Sequence, residues 1–304
     1  MGVNGRTTGL VLGLGGEPGG RRIVRGLAAS GLRRAGGRFL VFLAVLAGLI
    51  GLWEGLKALG ESLSLTWPFE VNDRSMPHVA DIVLRLFEPS RRNGPIMLGL
   101  LVDSAAYTAR EAALGFAMGT AGGFLIAVAF AHSRLLERGF MPYVIASQTI
   151  PILAIAPMVV AWIGASTLGV AVIAAYLTFF PVTINTLRGL RSADPRAHEL
   201  MSSYAASRWK VLWKLRVPAS LPYLFTALKV AAPASVVGAI IGELPNSIQD
   251  GLAGRILNFN QYYITNPESL WATNIVAALL GIAFYGAVVL AERLAVRRAP
   301  EHVA

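Results

Sequence analysis

Residues Ser269–Leu290 read SLWATNIVAALLGIAFYGAVVL, 22 positions without one Asp, Glu, Lys or Arg. Coiled as an α-helix at about 1.5 Å per residue, the segment is long enough to cross a hydrocarbon layer about 30 Å thick. A helix also pairs each interior backbone N–H and C=O within the segment, which is the condition for leaving water. Five further stretches are long and apolar enough to do the same, with few interior charges: Phe39–Leu59, Ala112–Ala131, Phe140–Ile163, Leu168–Leu187 and Pro222–Ile241. None alternates with the period of a barrel strand. Over all 304 residues, 55% are hydrophobic and 14% charged, a balance that makes lipid rather than water the main solvent. The expected fold is all-α and integral to the membrane, with about six transmembrane helices. Lys229 is the main interior charge and is expected to snorkel from near the end of the fifth span.

Orientation follows from the basic residues, which accumulate on the cytoplasmic side of short connections. The first forty residues hold Arg6, Arg21, Arg22, Arg25, Arg33, Arg34 and Arg38 against the one acid Glu17. Arg134 and Arg138 follow the second span. Arg188, Arg191, Arg196, Arg208, Lys210, Lys214 and Arg216 lie between the fourth and fifth, and Arg293, Arg297 and Arg298 follow the sixth. One assignment, with both termini cytoplasmic, satisfies all four groups and requires an even number of spans. Residues 1–38 then form a basic flexible cytoplasmic tail, 39–98 the first helix and an outer segment, 99–298 the core with a cytoplasmic loop at 188–218, and 299–304 a closing tail. The net charge of +10 is spent on topology in this reading, and no nucleic-acid partner is expected. The absence of cysteine excludes disulfides and thiolate chemistry. His78, His132, His198 and His302 fall outside the spans without ligand spacing, and neither a metal site nor a cofactor is expected.

Proline punctuates three of the spans, with Pro142, Pro151 and Pro157 in the third, Pro181 near the end of the fourth, and Pro222 and Pro233 in the fifth. Each removes a backbone donor and frees a carbonyl, which is tolerated where neighbouring helices or water satisfy it. The third span is therefore expected to bend around a translocation path, with Gln148 and Thr149 as its pore-facing polar groups; helix packing is the plainer alternative. For Gly115, Gly119, Gly122 and Gly123, packing is the stronger reading.

The loop after the fourth span runs Ser192-Ala-Asp-Pro-Arg-Ala-His-Glu-Leu-Met-Ser-Ser-Tyr-Ala-Ala-Ser-Arg-Trp209. Asp194 followed by Pro195 is a strong helix start. A second short helix is expected from Ser207 through Leu215, ending before Pro218. This segment resembles the cytoplasmic EAA loop of binding-protein-dependent ABC importer permeases, with Glu199, Ala205, Leu215, Val217 and Pro218 at that motif's spacing. Glu and Pro are identical, while both alanines and the glycine are changed. Ala205 stands where glycine would permit a left-handed turn, and alanine is expected to disfavour it. From about Leu101 to Arg298 the chain looks like the sulfonate, taurine, nitrate and thiamine-precursor branch of that family, on Ser147-Gln-Thr-Ile-Pro151, Ala156-Pro157, Phe180-Pro181, Asn185-Thr186 and Ala206-Ser-Arg-Trp209.

The resemblance implies a type I importer architecture in the inner membrane: a homodimer of permease subunits, two cytoplasmic ATP-binding subunits seated on the loop, and an extracytoplasmic substrate-binding protein. No Gly-x-x-x-x-Gly-Lys-Ser/Thr loop occurs in the chain, so ATP hydrolysis is expected on a partner and no enzymatic activity on this subunit. Gly242-Glu-Leu-Pro245, Gln249-Asp-Gly-Leu252 and Tyr262-Tyr263 look more like permeases for pyrimidine-type or riboflavin-type compounds than those for sulfonates. The alternative, an ion-gradient-driven secondary transporter, would call for membrane-centre acids or matched repeats, and the sequence displays neither.

Overall fold

The computed structural model describes residues 18–63, 70–91, 94–245 and 249–296. Among these, the regular elements are helical: α1 (Pro18–Ser62), α2 (Val79–Arg85), α3 (Met97–His132), α4 (Arg134–Ser147), α5 (Ile152–Ile163), α6 (Thr167–Leu190), α7 (Pro195–Ser203), α8 (Arg208–Val211), α9 (Val217–Glu243), α10 (Leu252–Gln261) and α11 (Pro267–Val296). A π-helical turn, Leu212–Arg216, joins α8 to α9. Five helical stretches are long and apolar enough to cross a membrane, namely Leu40–Ser62, Met97–His132, Thr167–Leu190, Arg208–Glu243 and Pro267–Ala295, and the pair α4 and α5 passes the same test jointly.

The chain divides into two units, 1–71 and 72–304. In the first, α1 begins well before the apolar run. Pro18 suits a first helical turn, and no further proline interrupts residues 19–38. Of the expected basic tail, residues 1–17 lie outside the described residues, as does the closing tail at 299–304.

The second unit is built around α6. On one side it meets α3 so closely that glycine is required. A Cβ at Gly119 would fall on the Thr178 hydroxyl and lie 2.7 Å from the Ala175 carbonyl oxygen, and one at Gly123 would lie 2.6 Å from the Phe179 carbonyl oxygen. Gly115 is equally confined by Ala171 and Ala174, whereas a Cβ at Gly122 would meet open space. Three of the four glycines thus let the backbones touch. On its other side α6 meets α9, where Gly238 rests on Ala174 and Gly242 on Val170.

These pairings also fix direction. Contacts advance together along α3 and α6, so the two helices run parallel, while α9 runs opposite to both. The end of α3 packs with the end of α6 in one cluster, Ala127, Phe130, Leu187, Leu190 and Leu212. His132 and Thr167 consequently lie at opposite ends of the bundle, and the intervening α4 and α5 carry the chain back across. The broken pair is one crossing, the sixth.

Two boundaries differ from the sequence reading. The helix expected from Ala112 begins at Met97, because Asp103, Arg110 and Glu111 end an apolar window without ending a helix. Lys229 does not snorkel alone: its Nζ lies 2.6 Å from Glu292 Oε2, tying α9 to α11 with both side chains about three-quarters covered.

The α3–α6 contact predicts that Gly119→Ala destabilises the fold by about 1–3 kcal/mol through overpacking against backbone, while Gly122→Ala is neutral or slightly stabilising. Thermal unfolding of the two variants in detergent checks this; equal midpoints would remove the close contact from the account.

Candidate functional site

The loop between α6 and α9 is ordered by its own end groups. Asp194 Oδ1 accepts from the Arg196 N–H at 2.9 Å, with Pro195 at the first helical position, as a strong N-terminus requires. At the other end of α7 the Ala206 N–H donates to the Met201 carbonyl at 3.0 Å and the Ala205 N–H to the Ser202 carbonyl at 2.9 Å. This double closure places Ala205 at φ +50°, the one positive φ outside glycine among the described residues. The left-handed turn that alanine was expected to disfavour is therefore present. Two hydrogen bonds to otherwise orphaned carbonyls outweigh the cost of about 1–2 kcal/mol of a Cβ in that region.

Ser207 then caps the next turn, accepting from the Lys210 N–H at 3.4 Å. Beyond it the expected stop before Pro218 does not occur. The Val217 N–H reaches the Leu212 carbonyl, five residues back, and this one wide turn is followed directly by Pro218 in the first turn of α9, a position that tolerates a missing N–H. Leu215 and Val217 are half-buried and Pro218 is exposed. The second loop helix and the following span form one continuous rod.

This end of the bundle displays apolar side chains beside charge. Leu200, Tyr204, Trp209 and Trp213 are 58–77% exposed, and the Trp209 ring stands 5.5 Å from that of His132. Glu199 is exposed and makes no ion pair or hydrogen bond through its side chain among the described residues. Arg191, which closes α6, donates from Nη1 to Glu137 Oε1 of α4 at 2.7 Å and from Nη2 to Oε2; this hydrogen bonding raises its pKa above the ordinary arginine value.

The break between α4 and α5 turns the chain by 101°. Continuing α4 would need an N–H on residue 151 to serve the Ser147 carbonyl, and Pro151 has none. The Tyr176 hydroxyl of α6 donates to that carbonyl instead. Gln148 and Thr149 sit at the corner, both exposed. Thr149 Oγ1 donates back to the Ala146 carbonyl at 2.8 Å, whereas the Gln148 amide has no partner among the described residues.

At the opposite end of the bundle lies a group of residues that the sequence reading placed outside the spans or did not single out. Glu243, the last residue of α9, is buried; its Oε1 accepts from Thr108 Oγ1 at 2.6 Å and its Oε2 from the Ala253 N–H at 2.9 Å. Thr108 Oγ1 in turn accepts from the Leu252 N–H at 2.9 Å, and Gly251 packs so tightly on the Glu243 carboxyl that a Cβ would collide with it. One carboxyl thereby clamps the start of α10 to α3 and α9. Glu111 is equally buried beside it, next to Thr167 and the Glu243 carboxyl, and among the described residues its two oxygens accept no hydrogen bond of ordinary geometry. Glutamates flanking apolar windows read as loop or boundary residues. The one usable signal was Gly242 before Glu243 and Gly251 after it, small residues where a carboxyl had to be enclosed.

Residues 119–297 match the family model described as "Binding-protein-dependent transport system inner membrane component". The formylaminopyrimidine transport permease protein ThiX of Halalkalibacterium halodurans is 33% identical over 177 residues, 58% of this chain and 69% of its own length. The riboflavin transport system permease protein RibX of Chloroflexus aurantiacus is 31% identical over 199 residues, 66% of this chain and 73% of its own. The putative aliphatic sulfonates transport permease protein SsuC of Bacillus subtilis is 26% identical over 233 residues, 77% and 78% of the two lengths. Among solved structures, a chain from "Crystal structure of an amino acid ABC transporter with histidines" aligns with a TM-score of 0.51 at 14% identity, over 64% of this chain and 94% of that one, a likeness of fold.

The corner at Pro151 predicts that Tyr176→Phe strands the Ser147 carbonyl and costs about 1–2 kcal/mol. Hydrogen exchange of the α4–α5 segment should rise in that variant while that of α9 stays unchanged. Unaltered exchange at the corner would mean that another group serves the carbonyl.

Proposed function

The chain belongs to the family of binding-protein-dependent transport system inner membrane components, and from that premise we propose how this permease subunit of an ABC importer performs its part. Two copies form the translocation path, two cytoplasmic ATP-binding subunits dock on the 188–218 loops, and an extracytoplasmic binding protein delivers the solute to the other face. The observation that carries this reading is the pair α7 and α8: an ordered, exposed, partly apolar turn whose second helix continues without a hinge into a membrane span. Glu199 supports it, since a carboxylate with no internal partner is available to a cation on a docked subunit. Leu215, Val217 and Pro218 lie where the loop passes into the span, and Ala205 sets the turn between the helices. Gln148 and Thr149, polar groups at the corner of the broken span, line the path.

Both termini and the 188–218 loop face the cytoplasm in this reading, as the placement of arginine and lysine favours. The solute is a small organic compound of the pyrimidine or riboflavin type, since the two relatives above 30% identity described here carry those names; sulfonates and nitrate, named for more distant relatives, come second.

Two outcomes are expected. A cysteine introduced at Arg196 should be labelled only from the cytoplasmic side and one at Asp250 only from outside; cytoplasmic labelling at 250 would reverse the topology. Glu199→Lys should leave the permease in the membrane but weaken association of the ATP-binding subunits by about 2–5 kcal/mol and abolish uptake, because an interface contact would become a repulsion. An exposed internal pair would be worth only about 0–1 kcal/mol. Normal co-purification and uptake by Glu199→Lys would exclude this loop as the coupling element.

A further inference from the structure

A cavity of about 960 Å³ opens at the corner where α4 meets the ends of α3 and α6 and the helix α7. Its charged lining consists of Arg134, Arg138, Arg191, Arg216 and Glu137, with His198 beside them. The single acid is already engaged, since Glu137 takes Arg191 through both of its oxygens. Among the described residues Arg216 pairs with no carboxylate, and donates to the Ala131 carbonyl at 3.3 Å and to His198 Nε2 at 3.4 Å. Arg134 and Arg138 make no salt bridge or hydrogen bond among the described residues, and the acid they act on across space is the same Glu137. Three guanidinium groups therefore converge on one cavity with no carboxylate bonded to any of them among the described residues. Arg134 and Arg138, one helical turn apart, also repel each other, an arrangement that an isolated helix disfavours.

Along the same face of α4 the lining changes character. Met141, Pro142, Ile145 and Ala146 continue the cavity away from the arginines, and α4 has no fully buried residue, with only Met141 and Val144 partly packed on the cluster at the ends of α3 and α6. A ligand for this site needs an oxyanion with more than one acceptor oxygen at one end, which guanidinium forks bind in bidentate fashion, and an apolar body that extends into the bilayer. A free phosphate meets the first requirement only.

We propose that this cavity binds an anionic phospholipid, its headgroup phosphate held by Arg134, Arg138 and Arg216 and its acyl chains laid along Met141 to Ala146 of α4. Basic pockets between helices at a membrane face are suited to such headgroups. The proposal rests on the membrane fold and is independent of the docking role proposed for α7; its test reads lipid binding, not transport.

The full-length permease is purified in detergent and titrated with phosphatidylglycerol, with phosphatidylcholine, or with inorganic phosphate. Bound lipid is counted by native mass spectrometry and stability followed by thermal unfolding. Phosphatidylglycerol should be retained and should raise the unfolding temperature, phosphatidylcholine should do neither, and Arg134→Gln and Arg138→Gln should each weaken retention about fivefold. Both arginines are exposed and unpaired, so these variants should unfold with phosphatidylcholine at the wild-type temperature; Met141→Glu provides a second probe by interrupting the apolar half. Equal retention of the two lipids, undiminished phosphatidylglycerol binding by the arginine variants, or full stabilisation by inorganic phosphate alone would each overturn the proposal.

Discussion

A backbone carbonyl inside a bilayer must find its donor within the protein, and the unusual features of this fold are local answers to that constraint. At Ser147 the donor due from residue 151 is missing, so the helix breaks and the Tyr176 hydroxyl of a neighbouring span takes the position. At Pro218 the missing donor is accommodated by a wide turn one residue earlier, so the helix does not break. The same residue type yields a 101° corner in one span and a continuous rod in another. What differs is whether the chain can shift the proline into a first turn. Pro151 precedes a new helix as its N-cap, whereas Pro218 is carried into the first turn of α9.

The second constraint is distance between backbones. Lipid tails are as apolar as leucine, so burial alone does not hold spans together, and close packing must. The central helix α6 is approached by glycines on both sides, from α3 and from α9. Those contacts set the parallel and antiparallel directions of the three helices, which in turn demand that α4 and α5 together return the chain across the membrane. The path of the least regular segment is thus dictated by the most regular ones.

Sequence patterning made the spans and the loop legible because both are local signals. An apolar run of membrane length has few other uses, and Asp194-Pro195 has few other conformations. Span ends were less legible: Asp103 and Arg110 interrupt hydropathy without interrupting helix, and α3 starts fifteen residues early. Ala205 shows the limit of propensity reasoning, since the preference of one residue was set against two hydrogen bonds that only the closed turn can make. The buried carboxyls of Glu111 and Glu243 were hidden for a different reason. Their enclosure depends on Thr108 and on the backbone of residues 251–253, and no local pattern reports that these positions meet.

The placement of Glu243 gives α9 a particular mechanical position. At about 1.5 Å per residue the helix is about 40 Å long, and its first turn belongs to the loop proposed to dock the ATP-binding subunits. Its last residue clamps α10 at the other end of the bundle through Ala253, and Gly238 and Gly242 hold that same end against α6. The stretch from Arg208 to this carboxyl is one continuous helical rod, because the π turn joins α8 to α9, with Pro222 and Pro233 inside it and the turn at Ala205 before it. Close-packed interfaces do not deform continuously; they exchange one arrangement for another. The contact of Glu243 with α10 and α3 is one such interface. A single helix thus runs from the loop to the far end of the bundle, where glycine contacts with α6 and the Glu243 carboxyl hold its last two turns.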